Sequence, residues 1–206
     1  VYGGGDLRGR LHDGHSSSDY STIDGRAGFS YSSGASLFRA GLAAGSYFLD
    51  DKSLRDNYGI TADWRHALNN SNQLLISGGY SQNRYKGAGQ NINDFDLSTL
   101  NAGWTKAFGT AGAVNITASL GDENSINGRD DGDRKYYGMR VTLQSSFAEK
   151  ISGFLVLGTQ KSSYENVNST FNLKRDDTFN DVTIGLSWSF ADRWTLRPLV
   201  SHIRNR

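Results

Sequence analysis

Tyr58–Leu68, with the sequence YGITADWRHAL, alternates between apolar and polar side chains. One parity holds Tyr58, Ile60, Ala62, Trp64 and Leu68, and the other holds Gly59, Thr61, Asp63 and Arg65. A period of two residues places successive side chains on opposite faces of a β-strand. The same period returns in residues 137–147 and 182–190, so we predict antiparallel strands with one apolar and one polar face.

The composition favours strands and turns and offers little material for an apolar core. The 206 residues include 25 Gly, 10 Tyr, 10 Phe and 4 Trp, against a single Pro and no Cys. Only 36% are hydrophobic, and the mean hydropathy is -0.54. A soluble β-protein must fill an apolar core, whereas a membrane barrel can have a polar interior. The balance of 22 basic and 21 acidic residues gives no electrostatic reason to expect a nucleic-acid partner.

Short and long connections alternate between the predicted strands. The short ones are rich in turn-forming residues and lie at 33–35, 69–72, 109–112, 148–150 and 191–193. The long polar ones are Leu11–Ser21, Leu49–Asn57, Arg84–Asn93, Asp122–Lys135 and Ser162–Asp177. Transmembrane barrels have short periplasmic turns and longer outer loops. We therefore predict an all-β, antiparallel up-and-down transmembrane β-barrel with about eleven strands visible in this sequence.

Aromatic side chains are expected at the two membrane interfaces, where an apolar ring meets water at one edge. The girdle candidates near the short turns are Trp64, Trp104, Phe108, Phe147, Trp188, Phe190 and Trp194. A second group, expected as a girdle at the loop ends, contains Tyr47, Tyr58, Tyr85, Phe95, Tyr136, Tyr137 and Tyr164. The alternative is that aromatic residues mark the ends of any β-core.

Charged residues on the polar parity are candidates for a barrel interior. They are Arg26, Arg39, Asp63, Arg65, Arg140 and Arg197. Unpaired arginines would steer acidic or polypeptide cargo through a hydrated conduit. Paired charges would instead form ladders that stiffen the wall. The sequence leaves both interpretations open.

The strand count predicts one barrel domain over residues 1–206 that lacks at least its closing strand. Single-chain bacterial barrels have even strand numbers, so the complete form is expected to have about twelve or fourteen. The last readable strand runs from Trp194 to about Arg204. Pro198 predicts an edge or a distortion within it, because proline cannot donate to the ladder. We therefore expect the chain to be a fragment.

The last third of the chain carries a series of motifs. Residues 136–138, Tyr-Tyr-Gly, open a strand, Tyr164 precedes a loop, and that loop ends in Phe171–Asp177, FNLKRDD. A strand with Arg197-Pro198 follows, and then Arg-Asn at 204–205. Over residues 136–206 this pattern resembles the C-terminal barrel of the surface lipoprotein assembly modifier (Slam) family. It is also similar to the related barrels that follow tetratricopeptide repeats in other outer-membrane proteins.

The resemblance implies a bacterial outer-membrane barrel that translocates lipoproteins or other polypeptides to the cell surface, or assists their translocation. It also implies a periplasmic tetratricopeptide-repeat domain as a partner, while outer-membrane lipid is the physical partner of the barrel. The alternative function is a passive porin. A surface adhesin or an outer-membrane enzyme is a further alternative.

Two polar segments contain residue types that bind metal ions, but their spacing matches no known metal-binding motif. His12 and His15, with Asp13 and Asp19, lie in a Gly/Ser-rich segment, and imidazole and carboxylate groups can share an ion. The acidic segment 122–133 lacks the EF-hand order and its closing Glu. Serines near His15 show no triad arrangement, which a fold must supply. We expect no catalytic, metal or cofactor site.

Overall fold

Twelve strands form one antiparallel sheet in the computed structural model, which describes residues 1–10, 19–191 and 194–206, with the backbone alone at Arg10. They are β1 (Tyr2–Arg10), β2 (Tyr20–Ser33), β3 (Ser36–Leu49), β4 (Lys52–Asn69), β5 (Asn72–Tyr85), β6 (Phe95–Ala107), β7 (Gly112–Ser125), β8 (Arg134–Ala148), β9 (Ile151–Asn168), β10 (Leu173–Ala191), β11 (Trp194–Leu196) and β12 (Leu199–Asn205). From β1 to β10, each strand pairs with the next along the chain. This is the predicted up-and-down order. Within the described ranges, no helix is long and apolar enough to cross a membrane.

The last two strands are parts of one edge strand interrupted at Arg197 and Pro198. Both β11 and β12 pair with β10. At the interruption, the backbone N–H of Leu186 donates to the Pro198 carbonyl at 3.0 Å. Pro198 has no N–H to return, so the ladder breaks here as predicted. Counting β11 and β12 as one strand confirms the predicted number of about eleven.

Two of the predicted long loops are tight turns instead. Only Asp50 and Asp51 connect β3 to β4, and both have positive φ (51° and 56°), as a type I′ hairpin turn requires. The connection between β9 and β10 is also short and includes Asn172 with φ of 52°. The prediction of long loops over 49–57 and 162–177 is therefore wrong. Their polar residues mostly extend the strands beyond the roughly 9–11 residues that cross a bilayer.

Two other predicted loops remain long and contact each other. One contains a 3-10 helix at Gln90–Asn93, and the other follows β7. The carboxylate of Asp94 accepts a hydrogen bond from the Tyr85 N–H at 2.7 Å, and its carbonyl accepts one from the Ile126 N–H at 3.1 Å. The two loops thus form one layer over the ends of β5 to β8. The first predicted loop lies mostly outside the described residues.

The register of strand pairing shifts the apolar residues steadily across the sheet. Successive register partners form a row across the strands. The row that contains Phe38, Trp64 and Ile76 ends at Asn180 in β10. Two aromatic residues lie near the turn end of β10, Trp188 and Phe190, and Trp188 is about eight residues further along that strand. Over about seven strand spacings, this displacement corresponds to a strand tilt of roughly 40°. Transmembrane barrel strands tilt by roughly 35–45°. At that tilt the apolar residues form a level belt.

Candidate functional site

One face of the sheet exposes large apolar side chains on strand after strand. Examples that are at least half exposed are Leu42, Ile60, Leu100, Met139 and Ile184. Among the described residues, the only buried hydrophobic side chains are Phe95 and Tyr164, both on the other face. A water-soluble protein rarely exposes contiguous apolar surface on this scale. We call this surface the apolar belt.

The structure places the girdle candidates near the short turns. Trp64 stacks on Phe38 with ring centroids 6.4 Å apart, and Trp188 lies 5.4 Å from Phe190. The indole N–H of Trp64 donates to the Ser36 hydroxyl at 3.2 Å. The remaining candidates in the same region are Trp104, Phe108, Phe147 and Trp194. The aromatic edge of the belt therefore carries a polar partner for the indole of Trp64.

The aromatic residues at the loop ends are divided between the two faces. Of the predicted second girdle, Tyr58 and Tyr137 share the belt face. Those on the polar face are Tyr47, Tyr85, Phe95, Tyr136 and Tyr164. The prediction of a single second girdle is therefore wrong. Three of these rings, those of Tyr85, Tyr136 and Tyr164, pack against guanidinium groups on the polar face; Arg134, for example, lies 5.5 Å from the centre of the Tyr136 ring.

Three of the charged candidates meet on the polar face of β3 and β4. The Arg39 Nε lies 2.9 Å from one Asp63 oxygen, and the Arg65 Nε lies 3.6 Å from the other. The Arg39 guanidinium also lies 5.9 Å from the centre of the Tyr2 ring on β1. The single carboxylate therefore bridges two arginines across neighbouring strands, as expected for a charge ladder.

A second ion pair spans three strands. The Arg140 guanidinium on β8 donates to both Asp181 oxygens on β10, at 2.9 and 3.0 Å. Gly158 on β9 lies between them in the register. A Cβ atom at Gly158 would overlap the Asp181 carboxylate, so the missing side chain is what lets the pair close over the middle strand.

The other two charged candidates do not join these pairs. Arg26 is exposed on β2 and borders a polar cavity of about 390 Å³, which is also lined by Asp6, Arg8 and Asp24. There the Arg8 guanidinium donates to both Asp6 oxygens at 2.9 Å. Arg197 is exposed in the gap between β11 and β12. The structure thus pairs Arg39, Asp63, Arg65 and Arg140, and leaves Arg26 and Arg197 apart from those pairs.

A buried carboxylate at the loop end escaped the sequence-based list of interior charges. Glu123 on β7 is 3% exposed and accepts hydrogen bonds from Arg129 at 2.6 Å and Arg134 at 2.5 Å. Both guanidinium groups also lie near the Tyr164 ring, with centroid distances of 5.8 and 6.0 Å. We call Glu123, Arg129, Arg134 and Tyr164 the loop anchor. Its sequence signal is weak, because Glu123 is one of several carboxylates in an acidic segment.

Arg175, from the segment FNLKRDD, extends the loop anchor from β10. Its guanidinium lies 4.7 Å from the centre of the Tyr164 ring and 3.7 Å from Asp131. A hydrogen bond to the Asp177 carboxylate at 2.7 Å raises the pKa of Arg175 above its usual value. The basic–acidic motif that suggests the Slam resemblance therefore holds the loop after β7 against β9 and β10.

Two carboxylates of the acidic segment 122–133 accept hydrogen bonds from protein donors. Asp131 accepts from the Asn168 amide at 2.6 Å, and Asp130 accepts from the Ser169 N–H at 2.9 Å. The described ranges contain no group of three or more side chains suited to hold a metal ion. His12, Asp13 and His15 lie outside the described residues.

Gly158→Ala is expected to separate the Arg140–Asp181 pair and to lower stability by about 1–2 kcal/mol, because the added methyl group overpacks a crowded contact. Thermal or urea unfolding in detergent micelles measures the effect. Gly25→Ala is the matched control, since the nearest atom to a Cβ at Gly25 is 3.9 Å away. Equal effects of the two substitutions would contradict the assigned role of Gly158.

Comparison with known proteins supports the fold. No protein-family model and no curated protein matches the chain. Among solved structures, the chain is similar to the siderophore receptor PirA from Pseudomonas aeruginosa, with 12% sequence identity and a TM-score of 0.53. The similarity covers 98% of this chain and 38% of that chain. The chain has the fold of an outer-membrane β-barrel. Membership in the Slam family stays a prediction, since no family model matches.

Proposed function

We propose that this chain forms part of the wall of a bacterial outer-membrane β-barrel with a hydrated interior, and that the barrel passes polypeptides to the cell surface. The observation that supports the proposal is that one face of the sheet is apolar and the opposite face is charged. The apolar belt lies on one side of the same strands that carry the Arg39–Asp63 and Arg140–Asp181 pairs on the other. A hydrocarbon-facing band around a polar interior has this arrangement.

The polar face suits the passage of a large cargo. On β10 it carries small side chains at Thr183, Gly185, Ser187 and Ser189, between Asp181 and the short turn. The Phe154 ring of β9 covers Gly185, so the small side chains leave room at Thr183, Ser187 and Ser189. Asp63 and Asp181 compensate two of the three neighbouring arginines, which are Arg39, Arg65 and Arg140. The paired charges favour a stiffened wall over a field that selects acidic solutes.

The nature of the cargo rests on the resemblance in residues 136–206. It favours lipoproteins or other secreted polypeptides, with a periplasmic tetratricopeptide-repeat domain as a partner. A passive porin, which needs no such partner, is the competing function. A surface adhesin or an outer-membrane enzyme would need a binding or catalytic site on the loops.

Single cysteines along β10 test whether the strand lies between lipid and water, because the 206 residues contain no Cys. In the full chain reconstituted in vesicles, we expect cysteines at Thr183 and Ser187 to react with a water-soluble thiol reagent. Cysteines at Val182, Ile184 and Leu186 should resist it and report a lipid environment with a fluorescent probe. Labelling that alternates between successive positions supports a strand with one face to water and one to lipid. Uniform labelling contradicts it.

A cellular assay separates translocation from passive conduction. Deletion of the gene should leave lipoproteins inaccessible to protease added outside intact cells, while the total amount of lipoprotein stays unchanged. Expression of the full chain in these cells should make the lipoproteins accessible to the protease again. If deletion instead lowers the uptake of small solutes and leaves surface lipoproteins unchanged, the barrel is a porin.

A further inference from the structure

Three cations lie on the belt face at the loop end of β9, β10 and β12. Lys161 pairs in register with Thr178, and Thr178 exchanges both backbone hydrogen bonds with Arg206, at 2.7 and 3.0 Å. Arg204 pairs with Asn180 on the same face. We call Lys161, Arg204 and Arg206 the rim patch. All three side chains are exposed.

The rim patch lacks the counter-charges that accompany the cations of β5 and the loop after it. On β5 and the loop after it, Lys86 lies 2.8 Å from Asp56, and Arg84 lies 2.9 Å from Asp96. Within the described ranges, no cation of the rim patch forms an ion pair. The neighbouring carboxylate of Asp176 accepts a hydrogen bond from the Ser163 hydroxyl instead.

The position of the rim patch corresponds to the outer edge of the apolar belt. A belt about 25 Å tall, crossed by strands tilted by roughly 40°, takes about ten residues of each strand. Counting from Trp188 at the turn end of β10, this length ends at about Thr178. Lys161 and Arg206 share the row of Thr178, so they lie where hydrocarbon gives way to head groups.

An apolar groove lies below the rim patch on the same face. Its volume is about 690 Å³, and its lining includes Leu143, Leu155, Ile184, Leu186 and Val200. Gly153 contributes no side chain to it. Exposed Leu157 and Val182 connect the groove to the row of Thr159 and Asn180. Cations above a continuous apolar groove match a lipid with an anionic head group and long acyl chains.

We propose that the rim patch binds the phosphorylated head group of an outer-leaflet glycolipid, whose acyl chains lie along the groove. Lysine and arginine supply charge-assisted hydrogen bonds to phosphate oxygens, and Asn180 and Thr178 add neutral donors on the same face. The proposal rests on the proposed function, since it requires the belt to face lipid. It assigns a site to residues outside the barrel interior.

The test measures how much phosphorylated glycolipid stays with the protein. The full chain is reconstituted with phosphatidylcholine and a small fraction of diphosphorylated lipid A, then extracted in mild detergent. Bound lipid A is quantified by mass spectrometry. We expect the double substitution Lys161→Gln with Arg204→Gln to lower retention roughly tenfold to thirtyfold. The matched control, Arg84→Gln with Lys86→Gln, removes two cations that already have carboxylate partners, so retention should change less than about twofold.

Three results would overturn the inference. They are equal retention by the two double variants, equal retention of dephosphorylated lipid A by the wild-type chain, and displacement of lipid A by millimolar inorganic phosphate. The cysteine alternation along β10 is measured on the single-cysteine variants, reconstituted in vesicles of the same composition. If that alternation is missing, the proposed function fails. If it is present and phosphorylated lipid A is not retained, this inference alone fails.

Discussion

Ile184→Arg should lower the free energy of unfolding from a bilayer by about 2–4 kcal/mol, because it places a guanidinium on the lipid face near the middle of the apolar belt. Ile184 is 59% exposed, and its register partners on the flanking strands are both apolar, namely half-buried Leu155 and exposed Val200. Equilibrium urea unfolding in vesicles, followed by Trp fluorescence, measures the change.

Ser187→Arg provides the matched control on the same strand. Ser187 has the opposite parity, so its replacement adds a guanidinium to the polar face. We expect a change below about 1 kcal/mol, as for a hydrated site. Similar losses at positions 184 and 187 would mean that both faces are buried alike, which is incompatible with a membrane wall.

The faces of the strands could be predicted because alternation is a local property. Within β4, parity alone separates Ile60 and Trp64 from Asp63 and Arg65, and no knowledge of neighbouring strands is needed. Pro198 was equally informative, since its missing N–H limits any ladder. The paired strands follow the chain order, so the up-and-down topology was also within reach of the sequence.

The partners of the interior charges could not be predicted, because they depend on register. Arg140 and Asp181 are 41 residues apart and meet only because Gly158 lies between them in the sheet. A slip of one residue in either pairing would move Asp181 to the other face. The sequence therefore left open whether the interior arginines are unpaired and steer cargo or are paired in ladders. The structure shows ion pairs at Arg39, Arg65 and Arg140.

Loop lengths were predicted less well because polar residues do not distinguish a loop from a strand that extends into water. The strands β9 and β10 run for 18 and 19 residues. The short connection through Asp50 and Asp51 did have a local signal, because Asp is among the residues that tolerate positive φ in type I′ turns. Polarity alone concealed it.

Glu123→Ala should release the loop after β7, because it removes the carboxylate that accepts hydrogen bonds from Arg129 and Arg134. Removing one member of a buried ion pair typically costs about 3–5 kcal/mol. The two guanidinium groups are 20% and 28% exposed, so water compensates part of the loss and we expect about 2–3 kcal/mol. Hydrogen exchange of the amides in residues 126–133 should become faster, and the free energy of local opening that it reports should fall by about the same amount.

The control for the loop anchor is Glu165→Gln, at an exposed carboxylate on β9 near the same loop. Within the described ranges Glu165 forms no ion pair, so exchange in residues 126–133 should stay unchanged. Glu123→Gln keeps the shape and removes the charge, and it should give an intermediate rate because neutral acceptors form weaker hydrogen bonds with arginine. If all three variants exchange at the wild-type rate, the loop is held by backbone contacts such as Asn166 N–H to Asp131 carbonyl at 3.0 Å, and Glu123 is not its anchor.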